Sequence, residues 1–258
     1  MARLSVFLYS LGAYGFFLAV FLYLVAFVGN LWVPKSIDVG PPSDAAVAVL
    51  VDLLLIALFG LQHTVMARPA FKRRLVRHLP PAMERSTYVL LASAVLALLM
   101  WQWRPLPMSL WRANGAAAGA LWIAFGLGWA IVLLSTFLIN HFDLFGLRQA
   151  YLHMVQRPLL PLQFRTTLFY RLVRHPIMLG FLIAFWFTPQ MTAGHLLFAL
   201  GMTVYILVGV HHEERDLVDS LGPVYDDYRS RTPAFIPGIK VARKAVASAP
   251  AERHRQAL

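Results

Sequence analysis

"YRLVRHPIMLGFLIAFWFTPQMTAGHLLFALGMTVYILVGVHHEERDLV", residues 170–218, carries two apolar runs, about 176–188 and 194–210, between two charged ends. "TPQMTAG" separates them, and its Pro189 and Gly194 suit a tight turn. The stretch reads as a helical hairpin. Its entry at Arg171, Arg174 and His175 and its exit at His211 to Glu214 then lie side by side at one membrane surface. The first run is short for a full crossing, so this pair tilts or crosses in part.

Outward from the hairpin the chain stays apolar. Of its 258 residues 59% are hydrophobic and 14% charged, where soluble domains run near a quarter charged. Runs at about 4–32, 45–66, 86–103 and 115–139 approach or exceed the ~20 apolar residues that a bilayer-spanning helix needs. The fold class is all-α, a polytopic membrane bundle of five to six transmembrane segments whose C-terminal hairpin forms a site. The first run is about twice the ~7–15 residues of a signal-peptide core and has no cleavage site after it, so it reads as a transmembrane helix. Gly115 and Gly119 open the fourth helix with a small-xxx-small spacing that lets helices approach. Residues 1–139 are thus taken as helices 1–4, 140–238 as a cytoplasmic segment, hairpin and binding tail, and 239–258 as a disordered basic tail. The absence of cysteine removes disulfides, thiol redox chemistry, c-type haem attachment and Cys-based zinc sites.

Charge orients the bundle. Twenty of the 23 Lys and Arg fall on the N-terminus, the 67–85 loop, the 140–175 segment and the tail; only Lys35, Arg104 and Arg112 lie opposite. This positive-inside bias puts both termini and the hairpin's charged ends in the cytoplasm. The net charge of +11 is topology and attraction to anionic membrane lipid, not nucleic-acid binding.

The charged ends admit several readings. Arg171 and Arg174 could be interfacial anchors, and Pro176 suits a first helical turn after His175. Glu213 and Glu214, taken as a helix C-terminus, oppose the macrodipole and need cationic partners. A structural salt-bridge cluster answers that need, as does a polar small-molecule site. His175, His211, His212 and Glu214 are metal-type donors, but no HxxxH or HxxHH spacing occurs, and no metal is expected.

"RLVRHPIMLG", the hairpin, and "EERDLVDSLGPVYDDYRSRTPAFIPG" together resemble the membrane methyltransferases related to isoprenylcysteine carboxyl methyltransferase. Arg174, His175, Pro176, Gly180, Glu213, Glu214, Leu217, Gly222, Tyr225 and Tyr228 match that pattern, and Met178 stands where the family usually has Tyr. "INHFDLFGLRQ", 139–149, is similar to the bacterial methanethiol S-methyltransferases within the group, and NnrU-like membrane proteins share the overall pattern. The resemblance implies S-adenosylmethionine as cofactor and a small thiol as acceptor. It implies cofactor contacts by Arg171, Arg174, His175, Pro176, Met178, Gly180, Glu213, Glu214, Tyr225 and Tyr228. A prenylcysteine or lipid acceptor, or a non-enzymatic NnrU-like role, is the alternative. The implied location is a bacterial inner membrane, with the site facing the cytosol where the cofactor is made.

A simple thiol is mostly protonated at neutral pH, since even a cysteine thiol titrates near 8.5. His141 and Asp143, two residues apart, are the candidate proton acceptors. They either pair to assist deprotonation or merely end the fourth helix.

Overall fold

The computed structural model describes residues 3–160 and 166–238. The expected tail, 239–258, lies outside them. Five helices have the length and composition to cross a membrane: α1 (Arg3–Gly29), α2 (Ala45–Ala67), α4 (Pro81–Gln102), α5 (Gly115–Ile139) and α10 (Ala193–Leu221). Short helices α3 (Pro69–Leu75), α6 (His141–Leu144), α7 (Leu147–Met154), α8 (Phe169–Leu172), α9 (Pro176–Trp186) and α11 (Pro223–Arg231), with strands β1 (Ser109–Arg112) and β2 (Gln190–Thr192), are the other elements of the described residues. The bundle is all-α, as expected.

Several boundaries differ from the hydropathy reading. α1 stops at Gly29, because Asn30 and Trp32 turn left-handed with φ of 53° and 48°. α4 begins at Pro81, a favourable first-turn residue, so the end of the expected 67–85 loop is helical. α10 runs eleven residues past the last apolar run, to Leu221. Glu213 and Glu214 therefore sit two turns inside a helix rather than at its C-terminus, and the macrodipole argument does not apply to them.

The helices close a ring. α4 packs on α1 and α2, α2 on α10, α10 on α9, and α9 on α5. α5 returns to α1 through Phe21 and Trp129, whose rings are 5.4 Å apart. Leu24, Phe27, Leu99, Trp103, Phe185 and Phe198 fill the centre. The closest backbone approach is between α5 and α9. A Cβ on Gly128 would stand 2.6 Å from the Ala184 nitrogen, and one on Gly180 would stand 2.7 Å from the Gly128 oxygen. Gly115 and Gly119, expected to serve this purpose, face open space.

At about 1.5 Å per residue, eleven-residue α9 covers about 16 Å of a ~30 Å hydrocarbon core. Its turn nonetheless reaches the far end of the bundle, because β2 pairs antiparallel with β1 in the α4–α5 link. Extended chain at Val173, before α9, supplies part of the missing length. Such backbone is tolerated at membrane depth only when protein surrounds it, and Val173 and Thr188 are buried. The β1–β2 end is tied together by Thr192 donating to Asp38 and Trp103 donating to the Ile37 carbonyl. Asp52 belongs there too, accepting from the Arg104 N–H at 2.9 Å just beyond α4. Lys35, Arg104 and Arg112 lie at this end; the other described lysines and arginines lie at the opposite one, called the basic end below.

Candidate functional site

The hairpin's entry and exit meet at the basic end. Both Nε and Nη2 of Arg174 donate to Glu214 Oε1, at 2.8 and 2.5 Å, and His175 Nε2 lies 3.2 Å from the same oxygen. Arg174 Nη1 donates to the carbonyls of Thr232 and Arg229. The N–H groups of Arg174 and His175, just before α9, donate to the carbonyls of Pro233 and Ala234 at 2.8 and 3.1 Å. The chain after α11 is thus a strap across the hairpin mouth, fastened through one guanidinium. Breaking a buried pair of this kind by removing one partner typically costs about 3–5 kcal/mol.

Glu213 stands apart from this knot. Its Oε2 lies 3.6 Å from His175 Nδ1, yet half of its side chain is exposed. It follows Ile206 by seven residues, so it points the same way as that buried side chain, into the ring. It therefore points inward while remaining half exposed at the basic end. Tyr170, Tyr225, Tyr88 and Tyr205 all lie within electrostatic reach of its carboxylate. Burial, reinforced by Glu213, raises the Tyr170 phenol above its ordinary range, and burial with Glu214 does the same for Tyr225. Tyr228, pushed up to about 12 by burial, keeps its proton and donates it to the Tyr170 carbonyl at 2.6 Å. Arg171 is exposed beside a cleft of about 310 Å³ that it shares with Thr166, Val224, Asp227, Tyr228, Arg231 and Thr232.

The structure therefore gathers Arg174, His175, Glu213, Glu214, Tyr225 and Tyr228, with Arg171 on the outer side. Three expected residues do other work. Pro176 is the buried first residue of α9, Met178 packs on the core, and Gly180 is the contact point with α5. The roles of Tyr170, Thr232, Pro233 and Ala234 were not read from sequence. Tyr170 immediately precedes "RLVRHP", and "TPAF" closes the matched tail, so the signal was adjacency to motif residues.

His141 and Asp143 do not pair. Asp143 Oδ1 accepts from Arg148 at 3.1 Å, and Asp143 lines a second cleft of about 270 Å³ with Lys72, Glu84, Arg85, Asn140 and Gln149. His141 is buried, and both its nitrogens are engaged. Thr136 spends its hydroxyl proton on the Leu133 carbonyl, so it must accept from His141 Nδ1–H at 2.8 Å. Nε2 is then the acceptor, and the Tyr14 hydroxyl donates to it at 2.8 Å. The ring stacks on Phe137 at 4.2 Å. Burial holds this imidazole below its ordinary value, consistent with the neutral tautomer. His141 pins α1 to α5, and it could take a thiol proton only by giving up the Tyr14 bond. Among the described residues no group of three His, Asp or Glu converges as a metal site would require.

With this geometry in place, comparison with known proteins identifies relatives. A family model described as NnrU protein matches residues 51–247. The chain is 54% identical over 243 residues to Methanethiol S-methyltransferase 2 of Bradyrhizobium diazoefficiens, covering 94% of each protein. It is 52% identical to the Methanethiol S-methyltransferase of Mycobacterium tuberculosis, over 92% of this chain and 98% of that one. The corresponding figures for the Methanethiol S-methyltransferase of Crocosphaera subtropica are 46%, 93% and 94%. No solved structure matches the chain.

Proposed function

Because the chain belongs to the NnrU family, alongside relatives named methanethiol S-methyltransferase, we propose that it methylates methanethiol to dimethyl sulfide using S-adenosylmethionine. The observation that carries the cofactor site is the open Glu213 carboxylate beside the locked Arg174–His175–Glu214 knot. The residues present suit such a ligand. Glu213 offers charge-assisted acceptance to an ammonium or ribose hydroxyl. Tyrosine faces favour a sulfonium. The exposed Arg171 guanidinium suits a carboxylate. When bound, the cofactor supplies a methyl group already activated by positive sulfur.

The chain's own contribution is placement and exclusion of water. Arg174 holds the strap closed over the hairpin mouth, and Glu214 and His175 fix the edge against which the ligand rests. Holding the reacting groups in line lowers the barrier by up to about 7–11 kcal/mol in well-oriented systems. We place the basic end in the cytoplasm of a bacterial inner membrane, on the strength of the charge asymmetry and the cytosolic source of the cofactor.

Calorimetric titration of purified protein with S-adenosylmethionine tests this. Wild type should bind. Glu213→Gln should bind about ten- to a hundredfold more weakly, the equivalent of one charge-assisted hydrogen bond. Glu213 is half exposed and outside the Arg174 knot, so its replacement leaves the fold intact. Wild-type affinity in Glu213→Gln would move the cofactor elsewhere.

A further inference from the structure

α2 and α10 run side by side in the same direction, and their contacts fall at matched levels. A Cβ on Gly201 would stand 2.8 Å from Ile56 Cδ1, and one on Gly60 would stand 3.0 Å from Tyr205 Cδ2. Nearer the basic end Arg68 meets Asp216 at 3.1 Å. Gly201, Tyr205, Gly209 and Asp216 share one stripe of α10, by their spacings of four and seven. Gly209 therefore belongs on the α2-facing side, between two levels where the helices touch. Yet a Cβ there would meet nothing within 4 Å. The helices part at this one level of their seam.

His63 lies at about that level of α2, next to Thr64, which the Ile56–Gly201 and Gly60–Tyr205 pairs set opposite Gly209. It is seven residues after Ile56 and three after Gly60, on the face that meets α10. Its ring sits 5.0 Å from Tyr88 of α4 and 5.9 Å from Tyr205 of α10, centroid to centroid, with Phe59 at 5.5 Å. Neighbours on both flanking helices place it inside the ring of helices, not against lipid. Its Nδ1 is buried with no hydrogen-bond partner among the described residues. Ionisable side chains inside transmembrane segments are rare and mark functional paths, and a buried polar atom without a partner calls for one. Nothing in the fold or in the cofactor site uses this nitrogen.

We propose that the gap at Gly209 receives the small thiol and that His63 takes its proton. This rests on the methyl-transfer reading above and supplies the proton acceptor that His141, with both nitrogens engaged, does not offer. A small thiol dissolves in the bilayer, and a gap in the α2–α10 seam opens sideways to it. Glu213 lies one turn beyond Gly209, toward the basic end, so a thiol at Gly209 stands next to the proposed cofactor site. The S–H proton passes to His63, and the sulfur lone pair forms the new bond to the methyl carbon. The old carbon–sulfur bond breaks, its electron pair remaining on the donor sulfur. The imidazolium then returns its proton to water at the basic end. The titratable and charged groups facing the ring are Tyr88 and Arg85 from α4 and Tyr205 from α10.

Three measurements decide it. In protein labelled with ¹⁵N-histidine, methanethiol added without cofactor should shift one imidazole, and that resonance should be missing from His63→Gln. His63→Gln should retain S-adenosylmethionine affinity, while dimethyl sulfide formation at neutral pH falls roughly 10²–10⁴-fold, the usual contribution of a positioned base. Its rate should then climb about tenfold per pH unit as solvent ionises the thiol. Gly209→Leu, which fills the gap without touching the imidazole, should raise the thiol KM and leave cofactor affinity alone. A wild-type rate and pH profile in His63→Gln, or an unchanged thiol KM in Gly209→Leu, overturns the proposal. If wild type fails to bind S-adenosylmethionine, the methyl-transfer reading falls, and the imidazole shift with methanethiol alone still decides the gap.

Discussion

Arg174→Ala is the sharpest test of how the hairpin mouth is built. The guanidinium makes two bonds to Glu214 Oε1, one to the strap carbonyl of Thr232 and one to the Arg229 carbonyl in α11. Arg174 and Glu214 side chains are each only 11% exposed, so solvent cannot take over these bonds without opening the strap. Truncation leaves Glu214 with His175 Nε2, at 3.2 Å, as its remaining side-chain partner. A stranded buried carboxylate costs about 3–5 kcal/mol, and the His175 contact offsets part of that. A local loss near 3 kcal/mol raises the population of strap-open molecules roughly a hundredfold. The readout is amide hydrogen exchange in detergent. Protection should collapse at the Arg174 and His175 amides and along α11, while α1, α2 and α4 stay protected. Arg174→Lys keeps the charge but not the fork, and should fall between wild type and alanine. In a double-mutant cycle Arg174→Ala and Glu214→Gln should lose together much less than the sum of their separate losses. Wild-type protection of the strap in Arg174→Ala would refute the reasoning, as would strict additivity.

Two further outcomes follow from packing and burial. Gly128→Ala puts a methyl 2.6 Å from the Ala184 nitrogen and should destabilise by at least the ~1–3 kcal/mol of an overpacked contact. Gly119→Ala, facing open space on the same helix, should stabilise slightly through helix propensity; melting temperatures in detergent with equal shifts for both would contradict the α5–α9 contact. His141 is held below its ordinary value of 6.5 by burial, so around and below that pH the unfolded chain binds the extra proton. Its contribution to stability is therefore complete above pH 6.5 and declines as the solution is acidified below it. His141→Gln should show a shallower acid-side loss of melting temperature than wild type, and an unchanged slope would show that His141 is not the group titrating.

The long helices were legible because lipid imposes a length and a composition that few soluble segments share. Charge was legible as a division between the two ends of the bundle, since only Lys35, Arg104 and Arg112 among the described basic residues lie at the β1–β2 end. The meeting of Arg174 and His175 with Glu213 and Glu214 followed from hairpin geometry alone. What sequence concealed is tertiary. Gly115 and Gly119 carry the small-xxx-small spacing, but Gly128 and Gly180 make the contact, and only the pairing of α5 with α9 distinguishes them. The exit charges looked like the start of a loop because hydropathy drops at His211. The helix continues because its last turns pack on α11 and pair with α2 through Arg68 and Asp216. His141 and Asp143 looked like a dyad from their spacing; in the fold Tyr14 and Thr136 claim one and Arg148 the other.

The short α9 gives these features a common logic. A full-length helix would carry His175 out to the membrane surface, where water competes for every polar contact. An eleven-residue helix with an extended lead-in lets the chain turn polar while still inside the bundle, and the strap from Thr232 to Ala234 meets the backbone groups this exposes. The charged knot is thereby sunk to a little over one helical turn from Gly209, where α2 and α10 part. On the proposed reading the two reactants differ in kind: one is a multiply charged molecule from the cytosol, the other a small thiol dissolved in lipid. A site at the surface would reach only the first, and a site in the apolar core only the second. The half-exposed Glu213 carboxylate lies between these depths, one helical turn from Gly209.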